Sequence, residues 1–481
     1  MVTTVLKTCL LSAVALFACK SNHADDEKKG IIQPPKTETK SDVDFWLTNT
    51  DQSSLFKKQN VSLLFGPAAN TGSTIEIDDS KQFQEIDGFG YTLTGGSATL
   101  INSLNESSKA ALLKELFQHD GNNIGVSYLR ISLGASDLSE SVFTYNDLPV
   151  GEIDLELKKF TLEKEKKDLI PVLKQIISIF PQIKIMASPW TPPLWMKTNN
   201  NSVGGSLRPE YYDVYARYLA KYIQEMAKEG IIIDALTVQN EPLHPGNNPS
   251  LLMLAADQKN FVKNNLGPVF KAENIKTKIV VYDHNADKPE YPIEILNDPD
   301  AKKYVDGSAF HLYAGSISAL STVHNAHPDK NIYFTEQWVG APSNFSGDFK
   351  WHVENVIIGS MNNWSKVALE WNLAADALQK PHTQGGCTQC LGALTIDGPS
   401  ISRNVAYYII AHASKFVRPG SKRIFSSAAT NLQNVAFKTP EGKIALIVLN
   451  KSGATQSFNV KYNGKQVSST LNAGSVGTYV W

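Results

Sequence analysis

Residues 233–242 read Ile-Asp-Ala-Leu-Thr-Val-Gln-Asn-Glu-Pro, a short apolar run that ends in two amides, a glutamate and a proline. The run has the length and composition of a buried strand. Residues 332–338, Ile-Tyr-Phe-Thr-Glu-Gln-Trp, repeat the pattern, since a second short run ends in a glutamate. Each segment predicts a parallel strand whose carboxyl end carries polar side chains.

Six more runs of this type make eight, and helical segments such as 107–117 and 211–227 lie between them. Strand–helix alternation predicts a parallel sheet, and eight units fit a (β/α)8 TIM barrel. A doubly wound sheet also alternates, but its glycine-rich phosphate motif after the first strand is missing. The eight runs are residues 86–90, 126–133, 183–188, 233–238, 278–282, 307–311, 332–335 and 367–371.

The two flanks have a different pattern, because alternating apolar and polar residues are broken there by Asn, Gly and Ser turns. This is typical of antiparallel strands and predicts an attached β-sandwich domain. We therefore expect five segments in the α/β chain. They are a leader at 1–19, a flexible tether at 20–42, N-terminal strands of the sandwich at 43–82, the catalytic barrel at 83–413 and the C-terminal β-sandwich at 414–481.

Composition excludes several classes of protein. The 481 residues are 42% hydrophobic and include 31 Gly and 23 Pro, which excludes a disordered tail, a collagen-like repeat and a disulfide scaffold. Lys and Arg number 46 against 47 Asp and Glu, a formal net charge of −1. Because this charge offers no basic surface to a phosphate backbone, no nucleic acid partner is expected. We expect a monomer.

The N-terminus has the pattern of an export signal. Lys7 precedes an apolar stretch at 10–17 that is shorter than the about 20 residues a spanning helix needs. Leu16-Phe17-Ala18-Cys19 resembles the bacterial lipobox, in which the cysteine is lipidated; the alternative is an ordinary secretory signal with a chance cysteine. The prediction is an exported lipoprotein of the cell envelope, at the outer membrane surface or in the periplasm, held to the membrane by a lipid anchor on Cys19.

Cys387 and Cys390 lie in the glycine-rich stretch Gly-Gly-Cys-Thr-Gln-Cys. A zinc site would need a second pair of ligands, and a thioredoxin-like role would need the pair after a strand at a helix start. In an oxidising compartment, a small-loop disulfide is the favoured interpretation.

Glu241 and Glu336 follow candidate strands four and seven, so both are expected at one rim of the barrel. Two facing carboxylates are what glycoside hydrolysis uses, at about 5–5.5 Å for retention and ~6.5–9.5 Å for inversion of the anomeric centre. Either glutamate alone could be a helix-start residue or a surface charge. A carboxyl that donates a proton should titrate above its partner. No metal or cofactor is expected.

Aromatic side chains cluster at the same predicted rim, where flat rings would suit the C–H faces of sugars. Their alternative role is ordinary packing. Arg130, on strand two, is placed to hold a nucleophilic carboxylate ionised, or to form a structural salt bridge. Residues in these positions are Arg130, Asp137, Trp190, Tyr313, Trp338 and Trp371.

Several ordered motifs from residue 83 to 481 resemble glycoside hydrolase family 30, which includes glucosylceramidases and bacterial β-1,6-glucanases. They are IDGFG at 86–90, RISLGASDLS at 130–139, ASPWTPPLWMKT at 187–198, QNEP at 239–242, HLY at 311–313, FTE at 334–336 and WNLA at 371–374. The resemblance implies a barrel with a β-sandwich and a retaining mechanism. The same resemblance implies that Glu241 is the acid/base and Glu336 the nucleophile. It implies that Arg130 orients Glu336 and that Tyr313 lies beside it. It also implies that Asn240 binds the sugar 2-hydroxyl and that the glycone is held by Asp137, Trp190 and Trp371.

The chain departs from the glucosylceramidases at three places. His284 stands where the glucosylceramidases carry an acid, and we also expect this residue to contact the substrate. Trp338 replaces a smaller residue after the nucleophile. The loop that carries Cys387 and Cys390 is not of the lysosomal type. The leading hypothesis is therefore a retaining hydrolase of β-linked glucosides, with a β-1,6-glucan as substrate. Alternatives are a glucosylceramidase-type exo-β-glucosidase, a β-xylosidase or β-fucosidase, and a catalytically silent carbohydrate-binding lipoprotein.

Overall fold

Eight parallel strands close into a barrel, in which each strand pairs with the next along the chain and the eighth pairs with the first. The computed structural model describes residues 39–67 and 70–481. The barrel confirms the predicted fold class. Its strands, one to eight, are Gly88–Leu93, Tyr128–Leu133, Lys184–Pro189, Ala235–Thr237, Lys278–Ala286, Val305–Gly315, Asn331–Glu336 and Ser365–Asn372.

The helices lie between the barrel strands, as the periodicity predicted. The helix expected at 107–117 begins one residue earlier, after Asn105, whose side chain accepts a hydrogen bond from the Ser108 amide. The α-helices are Gly95–Ser103, Glu106–Phe117, Leu169–Ile179, Tyr212–Lys228, Ala255–Phe261, Gly267–Ala272, Glu290–Leu296, Pro299–Lys302, Ala319–Ala326, Phe345–His352, Ser360–Asn362 and Val405–Ser414, with π-helical turns at Val262–Leu266 and Val353–Gly359 and 3-10 turns at Leu194–Met196 and Pro209–Tyr211.

Apolar side chains fill the barrel interior below the polar rim. Seven of the eight strands contribute to this buried layer, so the barrel is a packed core with its chemistry confined to the carboxyl ends of the strands. The layer consists of Tyr128, Met186, Ala235, Val280, Ala309, Tyr333, Val367 and Leu369.

A nine-stranded sheet forms the second layer of the molecule. It combines strands from both flanks of the barrel sequence, and it folds over on itself, because Tyr479 contacts Phe458 although their strands are not neighbours. One pair, Ser73–Glu85 with Gln456–Tyr462, is parallel, so the sandwich is mostly rather than wholly antiparallel. In sheet order the strands are Lys57–Lys58, Asp44–Thr48, Val476–Val480, Ile444–Asn450, Leu432–Lys438, Lys422–Ser426, Ser73–Glu85, Gln456–Tyr462 and Lys465–Leu471.

Short strands also pair outside the barrel sheet. Val339–Gly340 pairs with Cys390–Leu391, and Leu394–Asp397 pairs with Ala374–Ala375 on one side and Ser400–Arg403 on the other. The barrel and the sandwich meet at His412, which is fully buried. Its two ring nitrogens lie 2.8 Å from the hydroxyls of Thr48 and Thr478.

The segment from Lys40 to Trp481 is one compact unit, and Ser41 already hydrogen-bonds within it, to the Leu63 carbonyl. The predicted leader, the lipobox with Cys19, and the tether as far as residue 38 lie outside the described residues. Within the described residues, no helix is both long and apolar enough to cross a membrane.

Candidate active site

Glu241 and Glu336 face each other at the carboxyl rim of the barrel. Glu336 is the last residue of strand seven, and Glu241 follows strand four by four residues. One carboxylate oxygen of each, together with a ring nitrogen of His311, lie within 4.8 Å of one another. This upper limit lies below the inverting range of ~6.5–9.5 Å, so the pair fits a retaining glycosidase.

The backbone turns sharply where it presents Glu241. This residue has a φ of 45°, in the left-handed region that side-chain-bearing residues rarely adopt. The Glu241 amide donates to the carbonyl of Asp283, which is itself left-handed at φ 64°, over 2.9 Å. Such strain persists only where surrounding contacts fix it, and here it directs a carboxylate into the site.

Arg130 holds the nucleophile candidate in place from below. The fully buried guanidinium of this strand-two residue contacts three acidic or amide groups at the centre of the barrel. Nη1 donates to Oε2 of Glu336 over 2.5 Å, and Nη2 donates to Oδ1 of Asn240 over 2.6 Å and to Oδ2 of Asp283 over 2.8 Å. Because Oδ1 of Asn240 is occupied by this contact, its amide nitrogen is the group that can donate to a substrate oxygen.

Asp283 lies beneath the glutamates as a fully buried counter-charge. Burial raises the pKa of this carboxyl, but Arg130 and His311, with the Thr335 hydroxyl, hold it well below its ordinary value. Thr237 and Thr335 each donate to Asp283 over 2.7 Å. The carboxylate therefore stays ionised and orients the residues above it.

His311, in strand six, links Asp283 to Glu241. Its Nε2 lies 3.1 Å from Oδ1 of Asp283, and its Nδ1 lies 3.2 Å from Oε1 of Glu241 and 3.7 Å from Oε1 of Glu336. Burial disfavours the imidazolium, but the charges of Glu336, Asp283 and Glu241 outweigh it and raise the pKa of His311 to about 9. One proton is thus held between His311 and Glu241.

The pKa order of the two glutamates differs from the expected one. Burial raises the pKa of Glu241, but the hydrogen bond and charge of His311 outweigh it, and the net shift is downward. Burial raises the pKa of Glu336 despite His311 and Arg130. The expectation that Glu241 titrates higher was wrong for the residue by itself, because its proton belongs to a coupled pair with His311.

A cavity of about 290 Å³ opens above this network. Trp190 and Trp371 form one wall with ring centroids 5.5 Å apart, and the Arg130 guanidinium lies 4.9 Å from the Trp190 ring. Tyr313 stands at the mouth, 38% exposed, and its hydroxyl donates to Oε1 of Glu336 over 2.9 Å. The cavity is lined by Asp137, Trp190, Asn240, Glu241, His244, Asn247, Asn285, Tyr313, Glu336, Trp338, Trp371, Cys387 and Cys390.

Asp137 also lines the cavity, as do Cys387 and Cys390, which are joined in a disulfide. Burial raises the pKa of Asp137, and the negative charge of Glu336 raises it further, to about 7. The Cys387 amide donates to its Oδ2 over 3.3 Å. The Asn247 side chain also bonds to this carboxyl. A buried carboxyl on the cavity wall is suited to binding hydroxyl groups of a ligand.

Comparisons with known proteins agree with this geometry. The TIM-barrel domain of glycosyl hydrolase family 30 matches residues 86–417, and the family's β-sandwich domain matches residues 420–479. The chain belongs to glycoside hydrolase family 30. The resemblance predicted from the sequence is therefore confirmed, and the chain is a retaining glycoside hydrolase.

Two relatives within family 30 and one solved structure show the range of activities. The chain is 32% identical to the endo-1,6-β-D-glucanase of Neurospora crassa over 440 residues, 86% of this chain and 89% of that one. It is 28% identical to the lysosomal acid glucosylceramidase of Mus musculus over 444 residues, 85% of this chain and 84% of that one. The solved endo-β1,6-glucanase BT3312 superposes with a TM-score of 0.85 at 35% identity, covering 92% and 99% of the two chains.

Most of the family 30 site residues predicted from the sequence meet in one cavity. Arg130 and His284 do not line the cavity. Arg130 contacts Glu336 and Asn240 from beneath. His284 lies behind Glu241, with its Nδ1 3.9 Å from Oε1 of Glu241. Burial lowers the pKa of His284 to about 4, so this ring is neutral. The direct substrate contact predicted for His284 stays a prediction.

Sequence reasoning assigned no role to several residues that the structure brings to the site. Asp283 and His311 lie at the ends of the apolar runs predicted as strands five and six, so these positions were a usable signal. His244 and Asn247 lie in loops, where no periodicity marks them, and Asn285 lies in strand five beyond its predicted end. Although Glu241, His311 and Glu336 are grouped as metal ligands could be, both nitrogens of His311 already face carboxylates, and we assign this group to proton transfer.

Proposed function

We propose that this chain is an endo-β-1,6-glucanase that cleaves its glucan by double displacement. Glu336 is the nucleophile and Glu241 the general acid and base. The observation that carries the mechanism is the close approach of the two carboxylates, within 4.8 Å, with only Glu336 bound to Arg130. The similarity to endo-1,6-β-glucanases over nearly the whole chain supports the linkage.

In the first step, Glu336 attacks the anomeric carbon while Glu241 protonates the leaving oxygen. Arg130 and Tyr313 each bind one oxygen of Glu336, which fixes the direction of attack. The proton of Glu241 comes from its shared pair with His311. Once Glu336 becomes an ester its negative charge is lost, which lowers the proton affinity of the pair and prepares Glu241 to act as a base on water.

Polar residues on the Glu241 side of the cavity favour a sugar as leaving group over ceramide. Glu241 must lie on the leaving-group side, and the lining residues that follow it in sequence, His244 and Asn247, are polar, as is Asn285. Hydrogen-bonding side chains suit the hydroxyls of a second glucose, whereas a ceramide would leave them unpaired. This separates the proposal from the glucosylceramidase alternative.

Product analysis tests the proposal. β-1,6-glucan, β-1,3-glucan, xylan, glucosylceramide and an aryl β-glucoside would be incubated with the wild type and with Glu336→Gln as the blank. Short β-1,6-linked oligomers from the first substrate, absent in the blank, are expected. Glucose released only from glucosylceramide or the aryl glucoside would overturn endo-action on β-1,6-glucan, and sugar binding without any turnover would favour the silent lipoprotein.

We further propose that the chain is exported and anchored by lipid on Cys19, in the cell envelope. The support is the lipobox-like sequence at 16–19 and the polar stretch that follows it. Expression in a bacterium with labelled palmitate should label the wild type but not Cys19→Ala. Equal labelling of the two would contradict the anchor.

A further inference from the structure

The loop that follows barrel strand eight carries the Cys387–Cys390 disulfide to the cavity. Both cysteines line the cavity, and both belong to a small apolar cluster with Leu138, Trp190, Trp338 and Trp371. Neither sulfur takes part in the proposed reaction. The disulfide nevertheless stands in the wall that would surround a glucosyl ring.

Asp137 is held by this loop at both its backbone and its side chain. The Cys387 amide donates to the carboxylate over 3.3 Å, and the Thr383 amide donates to the Asp137 carbonyl over 2.8 Å. Between them, Gly386 packs so closely that an added Cβ would lie 2.5 Å from the Asp137 carbonyl oxygen. The position of the Asp137 carboxylate therefore depends on the path of residues 383–387.

The same loop also contacts the segments that follow strands four and seven. The Thr383 hydroxyl donates to the Asn248 carbonyl over 2.5 Å. Cys390 pairs with Gly340 in a short antiparallel ladder, and the Ala341 amide donates to the Gln389 carbonyl over 2.8 Å. Gly340 lies directly against the Trp338 ring, since a Cβ added to this glycine would lie 3.3 Å from that ring.

We propose that the disulfide-closed loop positions Asp137 and Trp338 for recognition of the glycone. Cross-linking Cys387 to Cys390 removes conformations in which the Cys387 amide turns away from Asp137, so the wall is formed before substrate arrives. Cys387 and Cys390 are positioning residues that act through Asp137 and the ladder at Gly340. The inference rests on the proposed function only in requiring a glucosyl unit in the cavity.

A double-mutant cycle tests this role against a merely structural one. The variants are Cys387→Ala/Cys390→Ala, Asp137→Ala and their combination, with kcat/KM measured on an aryl β-glucoside. Removing the disulfide should lower kcat/KM about tenfold, mostly through KM, because a small misplacement of a binding group costs this much or more. In the Asp137→Ala background, which has no side-chain acceptor for the Cys387 amide, the same removal should cost little, since the two changes act on one contact. If the two losses in kcat/KM multiply in the combined variant, or if the disulfide-free variant keeps the wild-type KM, the proposal is overturned.

Gly386→Ala provides a second route in case the disulfide-free variant unfolds. It forces residues 383–387 away from Asp137 with both cysteines intact, and it should raise KM in the same way. Thr388→Ala, at an exposed position between the two cysteines, is the matched control and should keep wild-type constants. An unchanged KM in Gly386→Ala, with circular dichroism showing a folded protein, would contradict the role of the loop.

The outcome is separable from that of the proposed function. If the wild type cleaves the aryl glucoside but not β-1,6-glucan, the linkage is wrong and the cycle is still interpretable. If it cleaves neither, the cycle is measured as the Kd of deoxynojirimycin by calorimetry. The same non-additivity in Kd supports positioning by the loop, and additive losses contradict it.

Discussion

Nδ1 of His311 lies 3.2 Å from Oε1 of Glu241, while Nε2 of the same ring faces the fully buried Asp283 at 3.1 Å. Because Asp283 stays ionised, Nε2 keeps its proton, and any second proton on the ring is shared with Glu241. The acid of this enzyme is therefore a pair that titrates as one unit.

This pairing predicts the pH dependence of kcat/KM. Activity should fall at low pH as Glu336, whose pKa is raised, becomes protonated and can no longer attack. It should fall at high pH as the pair loses its proton, near the His311 pKa of about 9. In His311→Asn the proton rests on Glu241 alone, so the alkaline limb should move to lower pH. His119→Asn, away from the site, is the control; an alkaline limb that stays in place in His311→Asn would contradict the pair.

Arg130→Lys should lower kcat/KM by about a hundredfold, because one ammonium cannot replace a guanidinium that contacts Glu336, Asn240 and Asp283 together. The weaker stabilisation of ionised Glu336 should also raise the pKa of its carboxyl, so the acidic limb of the profile moves to higher pH. A profile with an unchanged acidic limb would show that Arg130 does not hold the nucleophile ionised.

Tyr313→Phe removes only the hydroxyl that donates to Glu336 over 2.9 Å. A hydrogen bond to a charged group contributes about 1.5–3 kcal/mol, which corresponds to a loss of roughly tenfold to a hundredfold in kcat/KM. The melting temperature should stay close to the wild-type value, because the ring remains at the mouth of the cavity. If the rate constants match the wild type, the contact with Glu336 has no catalytic role.

His412 predicts how stability depends on pH. Burial lowers the pKa of this histidine to about 3, against about 6.5 in the unfolded chain, so below that value the unfolded chain binds the extra proton. Lowering the pH from 7 to 5 should therefore cost about 2 kcal/mol of unfolding free energy through this group. Urea unfolding at the two pH values, in the wild type and in His412→Gln, measures it. Equal pH dependence in both proteins would exclude His412 as the cause.

The sequence predicted all eight barrel strands, because each is a short apolar run that ends in polar residues. Boundaries were less accurate: strand five continues to Ala286 through Tyr282 and Asp283, which both have left-handed φ values. The parallel pair between Ser73–Glu85 and Gln456–Tyr462 joins distant segments, and no local pattern marks such pairing.

The site was predictable where it depended on strand ends and not where it depended on distances across the barrel. Glu241 follows strand four and Glu336 ends strand seven, so their meeting at one rim was expected. The contact of His311 with Glu241 joins strand six to the loop after strand four, and the reversed pKa order follows from that contact. The contact of Cys387 with Asp137 likewise depends on the path of a loop.

The most direct test of the mechanism is to trap the glycosyl-enzyme. A 2-fluoro-glucosyl fluoride should inactivate the wild type, and peptide mass spectrometry should place one glucosyl adduct on Glu336 and none on the Glu336→Gln variant. Inactivation with the adduct on another residue, or turnover of substrate with no covalent adduct formed, would contradict double displacement through Glu336.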